Sequence, residues 1–153
     1  MRKMTEGDRT AVVGLMREFY GSAATLTNGS EEIFNADVTA CVSDSPFADG
    51  YVFEDDSGNA CGYAIIAHSF STEFGRPCIW VEDIYLAPEL RGRGLGPAFL
   101  DHIACEYPDS VIRLESEHDN IHAMEVYRGR GFKEFPYVEM IKTPDGGSGS
   151  ETL

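Results

Sequence analysis

The chain has 153 residues, of which 42% are hydrophobic and 25% charged, a composition typical of one globular domain. It carries 12 lysines and arginines against 26 aspartates and glutamates, a formal net charge of −14, so it lacks the basic surface that a nucleic-acid backbone or an anionic membrane requires. No apolar run approaches the roughly 18 residues of a membrane-spanning helix. We therefore expect neither a nucleic-acid partner nor a membrane partner.

Cysteine use and the N-terminal residues bear on the compartment in which the chain works. The cysteines at positions 41, 61, 78 and 105 are far apart in sequence and form no Cys-x-x-Cys pair. The N-terminal residues are charged and contain no apolar stretch that could serve as a secretion signal. We expect reduced thiols and a cytoplasmic location.

The first half of the chain predicts a short strand, two helices and a β-hairpin. Residues 1–4 favour a strand, and the apolar spacing that follows predicts a helix over about 6–20. Ser30 is a good N-cap for a second helix. Two β-rich runs, 51–53 and 63–67, flank a turn-forming stretch, so they predict a hairpin.

The second half predicts alternating strands and helices with a closing strand pair. The elements predicted there are, in order, a loop over 69–77, a strand over 78–86, a helix that carries Phe99, Leu100, Ile103 and Tyr107, a strand over 111–114, a helix over about 120–128, and strands at 132–135 and 138–141 around Pro136. This order predicts an α/β layout on a mixed sheet, in one domain over residues 1–143. The glycine- and serine-rich stretch 144–153 is predicted to be a flexible tail outside the fold, typical of an artificial linker.

A glycine-rich hexapeptide, Arg-Gly-Arg-Gly-Leu-Gly at 91–96, lies between a predicted strand and a predicted helix. Its glycines allow the backbone to approach a ligand closely and to turn N–H groups toward it. A helix N-terminus and two arginines favour an anion at the same place, so the turn is suited to a phosphate. Its spacing matches neither the dinucleotide-binding Gly-x-Gly-x-x-Gly motif nor the Gly-x-x-x-x-Gly-Lys-[Ser/Thr] nucleotide loop.

Two segments of the chain resemble the signatures of a known enzyme family. The pattern Arg-x-x-Gly-x-Gly that begins at Arg91, preceded by Val-Glu-Asp-Ile-Tyr-Leu-Ala-Pro-Glu, is similar to the acyl-CoA signature of the GNAT family of N-acetyltransferases. The pattern Asn-x-x-Ala-x-x-x-Tyr-x-x-x-Gly-Phe that begins at Asn120 is similar to that family's second signature. The matching stretch runs from about Trp80 to Phe132.

The resemblance implies a single α/β domain on a mixed, mostly antiparallel sheet of six or seven strands, flanked by about four helices. Its central strands splay apart, and the pantetheine arm of acetyl-CoA lies in the gap as an added strand would. The residues to which the resemblance assigns acetyl-CoA binding are Ile84, Tyr85, Leu86, Arg91, Gly92, Arg93, Gly94, Leu95, Gly96 and Asn120. Pro97 stands where the family usually has a residue with an N–H, so we expect altered phosphate contacts with binding retained.

The implied activity is transfer of an acetyl group from acetyl-CoA directly to a primary amine in a ternary complex. An alkylammonium has a pKa of roughly 10, so a base must take its proton before the nitrogen attacks. Glu82 is the expected base, because the family commonly carries Glu-Asp at this place, and Asp83 is the alternative. Strict alternation places Glu82 and Trp80 on one face of the strand. Asp83 and Val81 then share the other face, unless a bulge in the strand upsets this parity.

Tyr127 is the expected proton donor to the departing thiolate. Asn120, Ala123 and Tyr127 lie at positions i, i+3 and i+7 of the predicted helix, which places them along one face. The family commonly uses a tyrosine here to reach the sulfur. Two alternatives stay open, namely that Asn120 only caps the helix and that Tyr127 is only a core aromatic.

The acceptor site is expected at the first two helices and at the loop before the cofactor strand, which largely set acceptor choice in this family. The substrate-binding candidates are Phe19, Tyr20, Phe70 and Glu73, whose aromatic faces and carboxylate suit a cation. The expected acceptor is a small primary amine, such as a polyamine or an amino sugar. A non-catalytic acyl-CoA-binding or regulatory domain and a transferase acting on protein N-termini or lysines remain alternatives.

Neither a metal nor an obligatory second subunit follows from the sequence. His118 and His122 have the spacing of a helical metal pair, but no third ligand is evident, so no metal is expected. Members of the family often dimerise, and a homodimer is therefore compatible with the resemblance.

Overall fold

A computed structural model of the chain describes residues 1–22, 25 and 29–143. Its strands and helices are β1 (Arg2–Lys3), α1 (Arg9–Tyr20), α2 (Glu31–Val42), β2 (Ala48–Glu54), β3 (Ala60–Ser71), β4 (Arg76–Leu86), α3 (Leu95–Glu106), β5 (Val111–Leu114) and α4 (Ile121–Gly129). Short 3₁₀ turns at Glu6–Asp8 and Pro88–Leu90 precede α1 and α3. The predicted tail at 144–153 lies outside the described residues. Within the described residues, no helix is both long and apolar enough to cross a bilayer.

The strands form one mixed sheet in the order β1-β2-β3-β4-β5. Every neighbouring pair is antiparallel except β4 and β5, which are parallel. The α/β architecture, the mostly antiparallel sheet and the four helices confirm the predicted fold class. The predicted count of six or seven strands is too high for the described part of the chain, because the strand pair at 132–135 and 138–141 does not form there.

Side-chain contacts account for the missing strand pair. Phe135 packs against the ring of Phe74 and lies 5.2 Å from the guanidinium of Arg113. Tyr137 donates a hydrogen bond of 3.3 Å to Glu73 in the turn between β3 and β4. These contacts hold the segment after α4 against the hairpin end and β5 through its side chains, and no strand pairing is made.

The predicted loop at 69–77 is wrong, because this stretch completes a β-hairpin. β3 continues to Ser71 and β4 begins at Arg76, so only a four-residue turn separates them. Gly75 has a φ of +61°, a left-handed conformation that favours glycine in a tight turn. The side chains at this end of the hairpin are mostly exposed, so no apolar alternation marks the strands in the sequence.

The two faces of the sheet carry separate apolar clusters, each covered by helices. On one face, α1 and α2 bury the cluster that includes Val12, Met16, Phe34, Val38, Val52, Tyr63 and Tyr85. On the other face, α3 buries the cluster that includes Tyr51, Phe53, Ile66, Ile79, Val81, Phe99, Leu100 and Ile103. The helical apolar spacing predicted from the sequence is confirmed at these positions, and the packing fixes both faces of β4.

A β-bulge interrupts β4 at Glu82. Ile65 of β3 pairs with Asp83, whereas the next residue, Ile66, pairs with Val81, so Glu82 is the extra residue. Strict alternation is therefore wrong here: Val81 packs toward α3, whereas Asp83 lies on the opposite face, toward α1 and α2. The bulge gives the neighbouring carboxylates of Glu82 and Asp83 different surroundings.

The parting of β4 from β5 is the feature of the sheet that creates a site. Pairing between them begins at Cys78 opposite Val111 and ends at Val81 opposite Leu114. From Glu82 to Leu86, β4 remains bonded to β3, but its other edge has no strand partner among the described residues. The central strands thus separate as the resemblance implies.

Asp8 anchors the N-terminal residues to the start of α1. Its carboxylate accepts hydrogen bonds from the Arg2 guanidinium at 2.8 and 2.9 Å and from the Thr5 N–H and hydroxyl at 2.8 Å each. The hydrogen bonds from Arg2 are the largest cause that holds the pKa of Asp8 well below its usual range. A lowered pKa contributes stability that is present above the unfolded-state pKa and is lost as the pH falls.

We expect Asp8→Asn to lower the free energy of unfolding by about 1–3 kcal/mol at pH 7, because the charge-assisted bonds from Arg2 are lost. The difference from the parent protein should shrink as the pH falls below about 4. Urea unfolding at a series of pH values measures it, with Asp56→Asn in the exposed turn after β2 as control. A difference that stays constant down to pH 2 would contradict this account of Asp8.

Candidate active site

The turn that leads into α3 presents a row of unpaired backbone amides. Gly92 and Gly94 have φ values of +74° and +75°, which side chains with a Cβ rarely adopt. Within the described structure, the N–H groups of residues 92–96 donate to no backbone carbonyl, and the first bond is from Ala98 to the carbonyl of Gly94, at 3.0 Å. Pro97 has no N–H, so the row of free amides ends there.

The glycines of this turn face open space where a side chain would lie. A Cβ added at Gly92, Gly94 or Gly96 would meet no atom within 4 Å. No neighbouring atom therefore requires a glycine at these three positions. The positive φ values of Gly92 and Gly94 do favour glycine there. A turn with unpaired N–H groups beside open space is suited to bind an anion.

Two arginines add positive charge beside the amides. Neither Arg91 nor Arg93 forms an ion pair with a carboxylate of the described residues, although the chain as a whole carries a net charge of −14. Arg91 Nε donates to the carbonyl of Leu86 at 2.9 Å, which ties the turn to the end of β4. Together with the N-terminus of α3, these groups form a local positive site in an acidic protein.

At the other end of the open edge of β4 lies a half-open pocket of about 200 Å³. It is lined by Trp80, Val81, Glu82, Glu115 and Glu139. A larger pocket of about 540 Å³ shares three of these residues and is also lined by Tyr127. The predicted base and the predicted proton donor therefore line adjoining pockets where β4 and β5 part.

Glu82 is in surroundings that favour its protonated form. Partial burial is the main cause that raises the pKa of the Glu82 carboxyl, and the negative charges of Glu139 and Asp37 raise it further. A carboxylate with a raised pKa accepts a proton more readily than an ordinary glutamate. Glu82, the extra residue of the bulge, lines the pocket.

Glu115 and Glu139 were not expected from the sequence as site residues. Glu115 follows directly after β5, and the interaction with Glu139, together with burial, raises the pKa of Glu115 to about 7. A neighbouring carboxyl group favours the protonated form of Glu115. The position directly after the strand beside β4 could have indicated Glu115, whereas no local signal brings Glu139 to the same pocket.

Tyr127 lies on α4 with its ring packed edge-on against Phe132, at a centroid distance of 6.1 Å. Burial raises the pKa of its hydroxyl. Among the described residues this hydroxyl has no hydrogen-bond partner. It is therefore free to donate a proton to a group in the larger pocket.

Asn120 is the N-cap of α4, because its side-chain oxygen accepts a hydrogen bond of 3.3 Å from the Ala123 N–H. The capping role that the sequence left open is thus present. Binding of a cofactor by Asn120 stays a prediction, as it does for Ile84, Tyr85 and Leu86 on the open stretch of β4.

Asp83 is shielded from the pocket that contains Glu82. Its residue is 6% exposed, and its carboxylate accepts hydrogen bonds from Tyr63 at 2.9 Å and from Tyr20 at 3.2 Å. Burial raises the pKa of Asp83 to about 6, against the lowering effect of these two hydrogen bonds. The geometry favours Glu82 over Asp83 as the group that meets a substrate.

The four acceptor-site candidates lie in two separate places. Phe19 packs against Tyr85 at a centroid distance of 5.6 Å, in the core under α1, and Tyr20 contacts Asp83. Phe70 and Glu73 lie at the exposed end of the β3–β4 hairpin. In the part of the chain that the structure describes, no contact joins the two pairs, and the hairpin end instead contacts the segment after α4.

No group of three or more histidine, cysteine, aspartate or glutamate residues within the described ranges has an arrangement that could hold a metal ion. His118 lines the larger pocket without such partners.

The turn with its unpaired amides, the open edge of β4 and the pockets lined by Glu82 and Tyr127 follow one another along the same strand. The profile of the Acetyltransferase (GNAT) family matches residues 15–132, and the chain belongs to this family. It is an N-acetyltransferase.

Two similar proteins have an assigned activity. The chain is 31% identical to the thialysine N-epsilon-acetyltransferase of Bos taurus, over 91% of this chain and 86% of that protein. It is 29% identical to the enzyme of the same name from Sus scrofa, with the same coverage.

Solved structures support the fold. An integron cassette protein from the mobile metagenome of Cole Harbour Salt Marsh superposes with a TM-score of 0.74 at 23% identity, covering 93% of this chain and 88% of that one. AAC(6')-Iy, solved with the bisubstrate analogue CoA-S-monomethyl-acetylneamine, superposes with a TM-score of 0.71 at 18% identity, covering 94% and 96%.

We expect Glu139→Gln to lower the pKa of Glu115 from about 7 toward the usual value, because the amide can donate to Glu115 and carries no charge. Carbon-13 NMR titration of the glutamate carboxyl groups measures the shift. Glu134→Gln, a change in the same segment at a residue that pairs with Arg128, is the control and should leave Glu115 unaffected. A pKa of Glu115 that remains near 7 in Glu139→Gln would show that the two carboxyl groups are not coupled.

Proposed function

We propose that the chain transfers the acetyl group of acetyl-CoA to the primary amine of a small cationic molecule, by direct attack in a ternary complex. The observation that carries the proposal is the pocket in which Glu82 lies among further carboxylates at the end of the open β4 edge. Thialysine, the substrate for which the two mammalian relatives are named, is the first acceptor to test.

The residues of the turn fit the carrier. Five free amides at 92–96, open space in front of the glycines, and unpaired Arg91 and Arg93 suit a diphosphate. The unpaired backbone edge over 82–86 suits an extended amide-bearing chain, which can bond to it as an added strand. When bound, acetyl-CoA supplies the activated thioester.

Glu82 takes the proton of the acceptor's ammonium group. Its raised pKa and its place in the pocket support this role over one for Asp83, which is enclosed by tyrosine hydroxyls. The deprotonated amine then attacks the thioester carbon, and unpaired N–H groups on the β4 edge can stabilise the oxyanion that develops. Tyr127 donates its phenolic proton to the sulfur as the carbon–sulfur bond breaks. The resulting tyrosinate takes the second proton from the newly acylated, cationic nitrogen, which leaves a neutral amide and restores the phenol, and Glu82 releases its proton to solvent.

The charges around the pocket support a cationic acceptor. Glu82, Glu115 and Glu139 line it, and Asp37 of α2 is close enough to raise the pKa of Glu82. An ammonium group is attracted to such surroundings and lowers the cost of keeping several carboxylates together. A pocket of about 200 Å³ suits a small molecule better than a folded protein surface.

The two alternatives make different demands on the same residues. A non-catalytic acyl-CoA-binding domain needs the turn and the strand edge but not Glu82 or Tyr127. A transferase for protein N-termini or lysines needs an open groove for a chain beside the pocket. The homodimer and the cytoplasmic location stay predictions.

We expect Glu82→Gln and Tyr127→Phe each to lower kcat for the amine by about 10²- to 10³-fold, because each removes a proton-transfer group. Affinity for acetyl-CoA, measured by calorimetry, should be unchanged because the turn at 92–96 is intact. Glu125→Gln, an exposed change on the same helix as Tyr127, is the control and should retain full activity.

The assay follows CoA release with thialysine, lysine, a polyamine, an amino sugar and a lysine-containing peptide. Turnover of a small amine that fails in both variants supports the proposal. Activity restricted to the peptide would contradict the small-molecule acceptor, and acetyl-CoA binding without turnover of any amine would favour the non-catalytic alternative.

A further inference from the structure

Two tyrosine hydroxyls converge on the buried carboxylate next to the bulge. Tyr63 of β3 donates to Asp83 at 2.9 Å, and Tyr20, the last residue of α1, donates to both carboxylate oxygens at 3.2 and 3.3 Å. Three elements, α1, β3 and β4, therefore meet at one side chain. The residue is 6% exposed, so these hydroxyls take the place of water.

A second bond of the same kind lies two residues further along β4. Tyr85 donates to Glu18 of α1 at 2.9 Å. The last turn of α1 is thus tied to β4 at two points, in the stretch of the strand that pairs only with β3. The side-chain bonds on the face of the strand restrain a segment that lacks a strand partner on one edge.

The bulge makes the direction of Glu82 depend on this restraint. A bulged residue has no cross-strand partner of its own, so the residues beside it determine how the peptide units turn. Asp83 is the residue that follows the bulge, and its side chain is held on the face opposite Val81. If the side chain of Asp83 were released, the peptide unit that joins it to Glu82 could rotate.

We propose that Asp83 is a positioning residue: held by Tyr20 and Tyr63, it locks the bulge in β4 and so directs the Glu82 carboxylate into the pocket. This inference rests on the proposed function, in which Glu82 is the base. It assigns the second carboxylate of the Glu-Asp pair a task distinct from proton transfer with the substrate.

The surroundings of Asp83 give this lock a pH dependence. The groups that face it are Tyr20 from α1, Tyr63 from β3, Asp37 from α2 and Glu82 from β4, and none of these is a cation. Ionised Asp83 accepts from both hydroxyls, whereas protonated Asp83 is itself a donor and competes with them. Since the pKa of Asp83 is about 6, the lock weakens as the pH falls through this value.

Steady-state kinetics of Tyr20→Phe and Asp83→Asn with a saturating concentration of acetyl-CoA test the proposal. We expect kcat for the amine to fall about 10- to 100-fold in each, because the base is misplaced, with affinity for acetyl-CoA unchanged. The parent's kcat should fall with a slope greater than one where the pH passes through about 6, because Asp83 protonates there, and this extra steepness should be absent from Asp83→Asn. Tyr107→Phe, which removes a hydroxyl that donates to Asp49 elsewhere, is the matched control and should behave as the parent.

A crystal structure of Tyr20→Phe gives a readout that needs no turnover. A displaced Glu82 side chain supports the positioning role. It does so even if the parent protein acetylates no amine in the panel, because that result would contradict only the proposed function. An unchanged bulge with Glu82 in its parent position, or variants with the parent's rate and the parent's slope, would overturn the positioning role.

Discussion

The site depends on a strand that is hydrogen-bonded on one side only. β4 has β3 along its whole length but loses β5 after Val81, and from Glu82 onward a row of backbone groups has no partner in the described structure. Unpaired backbone groups on an otherwise buried strand are costly unless water or a ligand satisfies them. The fold supports such a strand through side chains instead, with Asp83 and Tyr85 bound to residues of β3 and α1. The same edge leads from the glycine-rich turn to the pocket, so one irregularity of the sheet creates the path between the two.

The opposite charges at the two ends of this path match the two substrates of an acetyl transfer. The turn at 92–96 concentrates N–H groups and two unpaired arginines, whereas the pocket at the other end concentrates carboxylates. In the sequence, the net charge of −14 argued only against a nucleic-acid or membrane partner. The structure shows that part of this charge has a local consequence, since Glu139 and Asp37 raise the pKa of Glu82 and contact with Glu139 raises that of Glu115. Glu139 both lines the pocket and raises the pKa of Glu82, so in the proposed function one carboxylate helps to attract the acceptor and to tune the base.

Sequence reasoning predicted the parts of this protein that local patterns encode. The helices, the strand before the turn and the turn itself carry spacing, capping and glycine signals, and their positions are confirmed. Three features had no local signal. The bulge at Glu82 is visible only in the register between two strands, the hairpin end near Gly75 lacks apolar alternation, and the segment after α4 is held by Phe135 and Tyr137 rather than paired as a strand. Glu139 lies in the segment that the contacts of Phe135 and Tyr137 hold beside the pocket. Those contacts join residues far apart in sequence, so the sequence predicted Glu82 but not the carboxylates around it.

Amide hydrogen exchange with and without acetyl-CoA tests the role of the one-sided strand most directly. The account predicts that acetyl-CoA slows exchange at the amides of 92–96 and at those amides of 82–86 that do not bond to β3. Exchange at β1, β2 and the N-terminal turn of α1 should stay the same, since these lie away from the path. If acetyl-CoA leaves the exchange rates of the turn and of the open edge of β4 unchanged, or slows exchange only at a distant surface, the account is contradicted.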